Sequence, residues 1–413
     1  MHLMIPYQIA YNPISAIIAL YILELHGSII DIAYAATFAN FIIIPASIFW
    51  GDIVEKYHRR RLFINLSFLG LALSLLGLFL STTVFEVILL YGFLSFMIMA
   101  NATPLNLLIM ETEPKERWAA AFSRLQMFSS IGGVVSLVFA SILAYAVSIK
   151  LLILALVPFT ILAMIFSFSI TEPRALGIRR DLLSTLHSFR SRLLSHHLYF
   201  VHPSEGSLGR RLNAASGGLI RKGYFQMLFI AIFGFYLATG LFNTAYPAGL
   251  HSVGVSNFDI FAIFAIATAV STAAFFSLGA FMSRLTRIGA LTDSLLTRGF
   301  GYVLVGVTFL VLAGSAFIGV NTIIYLLTSG LAYALFYTTM NTMVFQAIGN
   351  YNKSYKLGIY SGVVGLGTLI GSFLSGYTSF FVGYWFTFAL AGAITVFCAY
   401  LFLKASGIKK ERG

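Results

Sequence analysis

GDIVEKYHRRR, residues 51–61, decides how the chain must fold. It holds Asp52, Glu55, Lys56, Arg59, Arg60 and Arg61, and it separates two apolar runs, 30 to 50 and 62 to 82. Each run has the roughly 20 residues that a helix needs to cross the hydrocarbon of a bilayer. A charged loop between two such runs is the repeating unit of a helical membrane protein, because in lipid only helices and closed barrels satisfy their own backbone polar groups.

The unit recurs along the chain. Apolar runs lie near 5 to 26, 30 to 50, 62 to 82, 85 to 110, 118 to 146 and 150 to 170, and again near 224 to 250, 258 to 282, 299 to 319, 321 to 347, 357 to 382 and 384 to 403. Hydrophobic residues fill 59% of 413 positions and charged residues 10%, with a mean hydropathy of +0.90. No water-soluble interior of this length hides so much apolar surface. We expect an all-α polytopic membrane protein of 12 transmembrane helices in two pseudo-symmetric six-helix bundles. The first span starts almost at Met1, with no basic leader or small-residue cleavage site after it, and is expected to be retained. The single cysteine, Cys398, excludes an internal disulfide framework.

A net charge of +12 would suit nucleic acid, but its distribution follows the loops. Lys56, Arg59, Arg60 and Arg61 follow span 2, Lys115 and Arg117 follow span 4, and Arg284, Arg287 and Arg298 follow span 8. Lys353 and Lys356 follow span 10, and the remaining basic residues sit in the middle segment and the tail, except Lys150 and Arg124. All these segments fall on one side. By the positive-inside rule both termini and the middle loop are expected in the cytoplasm of a multi-pass plasma-membrane protein, and nucleic-acid binding is not expected.

The two sets of six resemble each other. Ser28, Asp31 and Ile32 before span 2 recur as Ser256, Asp259 and Ile260 before span 8, and Gly51 recurs at the same offset as Gly279. Tyr11, Tyr21, Leu25 and His26 match Tyr236, Tyr246, Leu250 and His251 at another offset, and Thr103 and Asn106 match Thr338 and Asn341. Offsets that hold within a span and change at loops are what duplicated halves leave. The expected units are 1–171, an N-terminal bundle; 172–223, a cytoplasmic central loop; 224–403, a C-terminal bundle; and 404–413, a cytoplasmic tail. Leu182, Leu183, Leu186, Phe189, Leu193, Leu194 and Leu198 fall near helical spacing in the loop, as in an amphipathic helix lying on the inner membrane surface. A mobile charged linker remains the alternative.

Gly51, Glu55, Lys56, Arg59, Arg60 and Arg61 resemble the signature of the major facilitator superfamily, G-x-x-x-D/E-R/K-x-G-R-R/K-R/K, with His58 in place of its second Gly. The resemblance implies two bundles around a central cavity lined mostly by spans 1, 4, 7 and 10 and opened alternately to the two sides. The motif would then be a conformational gate: Gly51 permits close helix approach and Glu55 holds basic partners across a cytoplasmic interface. The implied spans offer Gln8, Tyr11, Asn12, Asn101, Asn106, Tyr236, Asn243, Tyr246, Tyr337 and Asn341 as cavity residues. Amides and phenols in a bilayer face protein or water, since hydrocarbon leaves their hydrogen bonds unmade.

Charge within the spans is sparse, which bears on coupling. Glu24, Glu111 and Arg124, with Glu55, are the candidates for a coupling or buried charge. Branches of the superfamily that exchange drugs for protons carry an Arg in span 4 and a G-P-x-x-G-G run in span 5; this chain has neither. The leading expectation is a secondary transporter for a small organic solute, uncharged or amphipathic because the spans look neutral. The alternative is an exporter of amphipathic drugs. No metal site, cofactor, phosphate loop or catalytic nucleophile is expected, so the chain does not read as an enzyme. The expected partners are a small-molecule substrate, the lipid bilayer, and a coupling proton or other ion, with the protein acting as a monomer.

Overall fold

The computed structural model describes residues 3–57, 59–112, 118–169, 223–281, 287–348 and 353–411. The expected amphipathic segment of the central loop lies outside the described residues. Regular structure among those described is entirely helical. Span 1 comprises Met4–Tyr11 and Ile14–Glu24, and spans 2 to 6 are Ile29–Tyr57, Arg60–Leu80, Val84–Thr112, Trp118–Ala146 and Ile149–Ser167. Spans 7 to 9 are Gly223–Ser252, Asn257–Phe281 and Arg287–Val311. Span 10 runs through Gly314–Tyr325, Leu326–Ala332 and Tyr333–Ile348, and spans 11 and 12 are Lys353–Phe381 and Tyr384–Glu411. Among the described residues eleven helices are long and apolar enough to cross a membrane, and the two segments of span 1 supply the twelfth.

Local chemistry sets the boundaries. Before span 2 the Asp31 carboxylate accepts from the Ser28 backbone N–H at 2.7 Å, and the Ser28 hydroxyl accepts from the Asp31 N–H at 3.4 Å. Before span 8 the Ser256 hydroxyl accepts from the Asp259 N–H at 3.1 Å and donates to its carboxylate at 2.6 Å. The duplicated Ser and Asp thus form equivalent N-terminal caps, closing amides that a helix start leaves open. Pro13 explains the break in span 1: lacking an N–H, it cannot bond to the Ile9 carbonyl four residues back. That carbonyl accepts instead from the Ser136 hydroxyl of span 5, at 2.7 Å.

Several boundaries differ from expectation. Span 10 begins at Gly314, so residues 314–319, expected in span 9, belong to span 10, and Arg298, expected in a loop, lies inside span 9. Span 12 continues helically to Glu411, through most of the expected tail. Gly51 and Gly279, expected after their spans, lie within helices.

Small residues join helices within each bundle. Gly133 of span 5 abuts the Asn12 side chain of span 1, so any Cβ there would collide with it. In the second bundle Gly371 of span 11 abuts the Leu237 carbonyl of span 7, and Ser375 donates to the Leu241 carbonyl at 2.7 Å. Span 5 on span 1 and span 11 on span 7 are therefore equivalent seams, of the small-residue kind that lipid-embedded helices use in place of hydrophobic burial. The outer surface is apolar: Leu80, Phe85, Val311 and Phe381 are 67 to 74% exposed. Exposed apolar surface on this scale is that of a chain facing lipid.

The bundles meet through spans 2 and 11 and through spans 5 and 8. At the end away from the chain termini the Tyr34 and Tyr377 hydroxyls lie 2.7 Å apart, and the Ser141 hydroxyl donates to the Phe258 carbonyl at 2.9 Å. Towards the end bearing the termini, a Cβ on Gly365 would just meet the Ile44 side chain at 3.7 Å, and one on Gly51 or Gly362 would meet nothing within 4 Å among the described residues. The side-chain hydrogen bonds between spans 2 and 11 and between spans 5 and 8 named here thus lie towards the end away from the termini.

Candidate functional site

Midway along the bundle a cavity of about 150 Å³ lies between the halves, walled by spans 1 and 5 on one side and 7, 8 and 10 on the other. Asn12 and Ser15 enter from span 1, where Pro13 breaks the helix. Asn243 and Tyr246 enter from span 7, followed by Pro247. Pro247 has no N–H to give to the Asn243 carbonyl four residues back, so Asn243 offers backbone as well as side-chain oxygen. Thr268 and Tyr325 complete the polar lining, and Leu137 and Phe264 the apolar walls. A broken helix opposite a proline-interrupted one is how helical transport proteins expose backbone polar groups to a central site.

Tyr246 is the most constrained group. Its ring stacks on Tyr325 at 4.6 Å between centroids and on Phe242 at 4.8 Å. Its side chain is fully buried, and its hydroxyl has no hydrogen-bond partner among the described residues. Leaving such a group unpaired costs about 1–3 kcal/mol. Tyr246 also borders the central cavity.

A second polar system surrounds Arg298, which is 2% exposed. Its Nε donates to the Tyr302 hydroxyl at 2.6 Å and its Nη2 to the Thr239 hydroxyl at 3.2 Å. Its guanidinium carbon lies 4.5 Å from the Phe235 ring centroid, 5.1 Å from Tyr302 and 5.4 Å from Tyr333. Such faces stabilise a cation by about 0.5–2 kcal/mol each. Span 10 is wound as a π-helix over Leu326–Ala332, between the cavity residue Tyr325 and Tyr333 at the guanidinium. π-Turns inside α-helices concentrate at functional sites. Ser329, within this turn, sits beside both the Tyr302 and Tyr325 phenols.

Of the expected cavity residues, Asn12, Asn243 and Tyr246 come together here. Gln8 packs against Gly132, and Tyr11 stacks on Tyr7 at 5.7 Å. Asn101 is buried beside Tyr7. Tyr236 lies beside Tyr360, and Tyr337 meets Phe275 edge-on at 6.0 Å. These five do not line the cavity. The side chains of Asn106 and Asn341 lie outside the described residues. Ser15, which the sequence also offers on span 1, joins Asn12, Asn243 and Tyr246. Thr268 and Tyr325 were missed: a hydroxyl on an apolar span reads as ordinary interhelical packing, and spans 8 and 10 show their inward faces only once folded.

The motif residues are placed unevenly. Arg60 is buried, its Nη1 donating to the Val54 carbonyl at 2.6 Å, and Arg61 covers the Phe168 ring at 4.7 Å. Arg59 is exposed at the start of span 3. A Cβ on Gly51 would meet no described atom within 4 Å. The side chains of Glu55, Lys56 and Glu111 lie outside the described residues. Glu24 ends span 1 and accepts from the Ile149 N–H at 3.3 Å, at the start of span 6. Arg124 is exposed near the start of span 5.

A family model described as Major Facilitator Superfamily matches residues 3–355. The chain belongs to the major facilitator superfamily: it is a multi-pass membrane transporter built for alternating access. Its fold is similar to that of a D-xylose-proton symporter, with a TM-score of 0.72 at 13% identity over 97% of this chain and 94% of that one. It is similar to a POT family transporter in complex with 5-aminolevulinic acid, with a TM-score of 0.72 at 12% identity over 97% and 94% of the chains. A mutant of the nucleoside transporter NupG matches with a TM-score of 0.69 at 13% identity over 98% of each chain. No curated protein matches the sequence.

Proposed function

We propose that the protein is a secondary transporter of the plasma membrane, working as a monomer, that carries one small organic solute across by alternating access. The observation that carries this reading is a cavity that both bundles line, polar on one side through Asn12 and Ser15 of span 1 and on the other through Asn243 of span 7. Asn12, Asn243 and Tyr246 hold the solute, with Ser15, Thr268 and Tyr325 around it. With both termini and residues 172–223 in the cytoplasm, as the loop charges support, the end joined through Tyr34 and Tyr377 is the outer one and the substrate cleft opens at the cytoplasmic end. The cluster Gly51, Glu55, Lys56, Arg59, Arg60 and Arg61 governs closure of that cleft. Glu24, Glu55, Glu111 and Arg124 are the groups available to a coupling proton or other ion.

A volume of about 150 Å³ favours a small solute over a large amphipathic drug, since pockets for drug-sized ligands measure about 300–1,000 Å³. The neighbours named for xylose-proton symport and nucleoside transport support the class of reaction and leave the solute open. The test is uptake into proteoliposomes, with and without a pH gradient, of a panel of sugars, organic acids and dyes. Saturable uptake of a small member is expected. Dye movement alone would favour the exporter reading, and folded protein that moves nothing would overturn both.

A further inference from the structure

We infer that Arg298 is the docking group for a small monoanionic solute, a single carboxylate on an apolar body; this rests on the transporter reading and names its substrate class. The guanidinium keeps its proton in any protein environment, so a full positive charge lies inside the second bundle. Everything described against it is neutral: the Tyr302 and Thr239 hydroxyls and the faces of Phe235, Tyr302 and Tyr333. Hydroxyls and ring faces solvate a cation without cancelling its charge, and buried charges persist where an opposite charge joins them.

The geometry says which atoms remain to be used. Nε and Nη2 occupy one edge of the fork with Tyr302 and Thr239. Nη1, with two hydrogens, is buried and has no hydrogen-bond partner among the described residues. A carboxylate complements that group in charge and in acceptor oxygens. A sugar would gain no Coulombic attraction from it, and a dianion would bring a second charge that nothing described here neutralises.

Access and coupling follow from the neighbours. Tyr236, Tyr333 and Tyr360 are half-buried around the guanidinium's surroundings, and Tyr360 lies on span 11 beside Gly362, where a Cβ would meet no described atom within 4 Å. The solute enters from the cleft, displaces these phenols and lays its apolar body on their rings. On the far side Tyr302 leads past Ser329 to Tyr325 and the central cavity. A solute at Arg298 thus lies one layer of side chains from the wall of the cavity. The spans looked neutral in sequence because Arg298 was counted with a loop.

The test uses the full chain in lipid nanodiscs, with formate and acetate as probes, acetamide as the neutral control and sodium chloride balancing ionic strength. Saturable thermal stabilisation by formate and acetate, absent with acetamide, is expected. Arg298→Lys should weaken it about tenfold, and Arg298→Met should abolish it; if the Met variant does not fold, the Lys variant decides. No saturable response in the wild type, an equal response to acetamide, or an undiminished response in Arg298→Lys overturns the inference. Carboxylate binding without uptake of any solute would retire the transporter reading and leave the anion site. Saturable uptake of neutral solutes, undiminished in Arg298→Lys, would do the reverse.

Discussion

The hydroxyls of Tyr34 and Tyr377 lie 2.7 Å apart, and their rings meet edge to face at 6.4 Å between centroids, tying span 2 of one bundle to span 11 of the other. The pair is exposed, so its hydrogen bond competes with water and contributes at the low end of the usual range, about 0.5 kcal/mol. Replacing either residue with Phe should shift the equilibrium towards the state open at that end by about two- to threefold. Distances between spin labels at the ends of spans 2 and 11 would report the shift, and an unchanged distribution would mean that the pair does not hold the closure.

Tyr246→Phe separates stability from function. The hydroxyl has no partner among the described residues, so its loss should leave thermal stability unchanged or raise it by up to about 1 kcal/mol. A solute that uses the hydroxyl should bind about tenfold more weakly. A stability loss without any change in uptake would place the hydroxyl in the packing and not in the site.

Gly133→Ala should displace Asn12, because the new Cβ has no room beside that side chain. Overpacking of this kind costs about 1–3 kcal/mol. Uptake should fall more steeply than folded yield, since the displaced group lines the cavity. Equal losses in both measurements would show that the seam between spans 1 and 5 is the only thing disturbed.

Gly51→Leu and Gly362→Leu are expected to have the opposite character. A Cβ at either position would meet nothing within 4 Å among the described residues, so a larger side chain should be accommodated. They should obstruct closure of the cleft, lowering turnover while folded yield is maintained, and cysteines facing the cleft should label faster. Normal turnover in both variants would mean that the ends of spans 2 and 11 do not meet during the cycle.

Much of the fold was legible because apolar length and loop charge act locally. Span 5 was read at 118 to 146 and lies at Trp118–Ala146, and the repeated Ser28–Asp31 and Ser256–Asp259 pairs became equivalent caps. Arg298 was misplaced for a physical reason. The turn between spans 9 and 10 is Leu312 and Ala313, with no polar residue, so an apolar count runs through it. Its mark is Gly314, whose φ of +63° is a conformation that suits glycine. The cavity was half legible. Asn12, Asn243 and Tyr246 stand out as polar groups on apolar spans, but Gln8, Tyr11 and Asn101 do so equally. Which of them faces the cavity depends on how Pro13 breaks span 1, and composition does not carry that direction.

The π-helical turn of span 10 also sets the phase between its two halves. An α-helix advances about 100° per residue, so a turn that accommodates one extra residue offsets everything beyond it by about that angle. Deleting a single residue within Leu326–Ala332 would therefore act less as a shortening than as a rotation, swinging Tyr333 and Tyr337 away from their present azimuth while Tyr325 stays at the cavity. Span 10 is in this sense geared, and a change of winding over seven residues is enough to turn one end against the other.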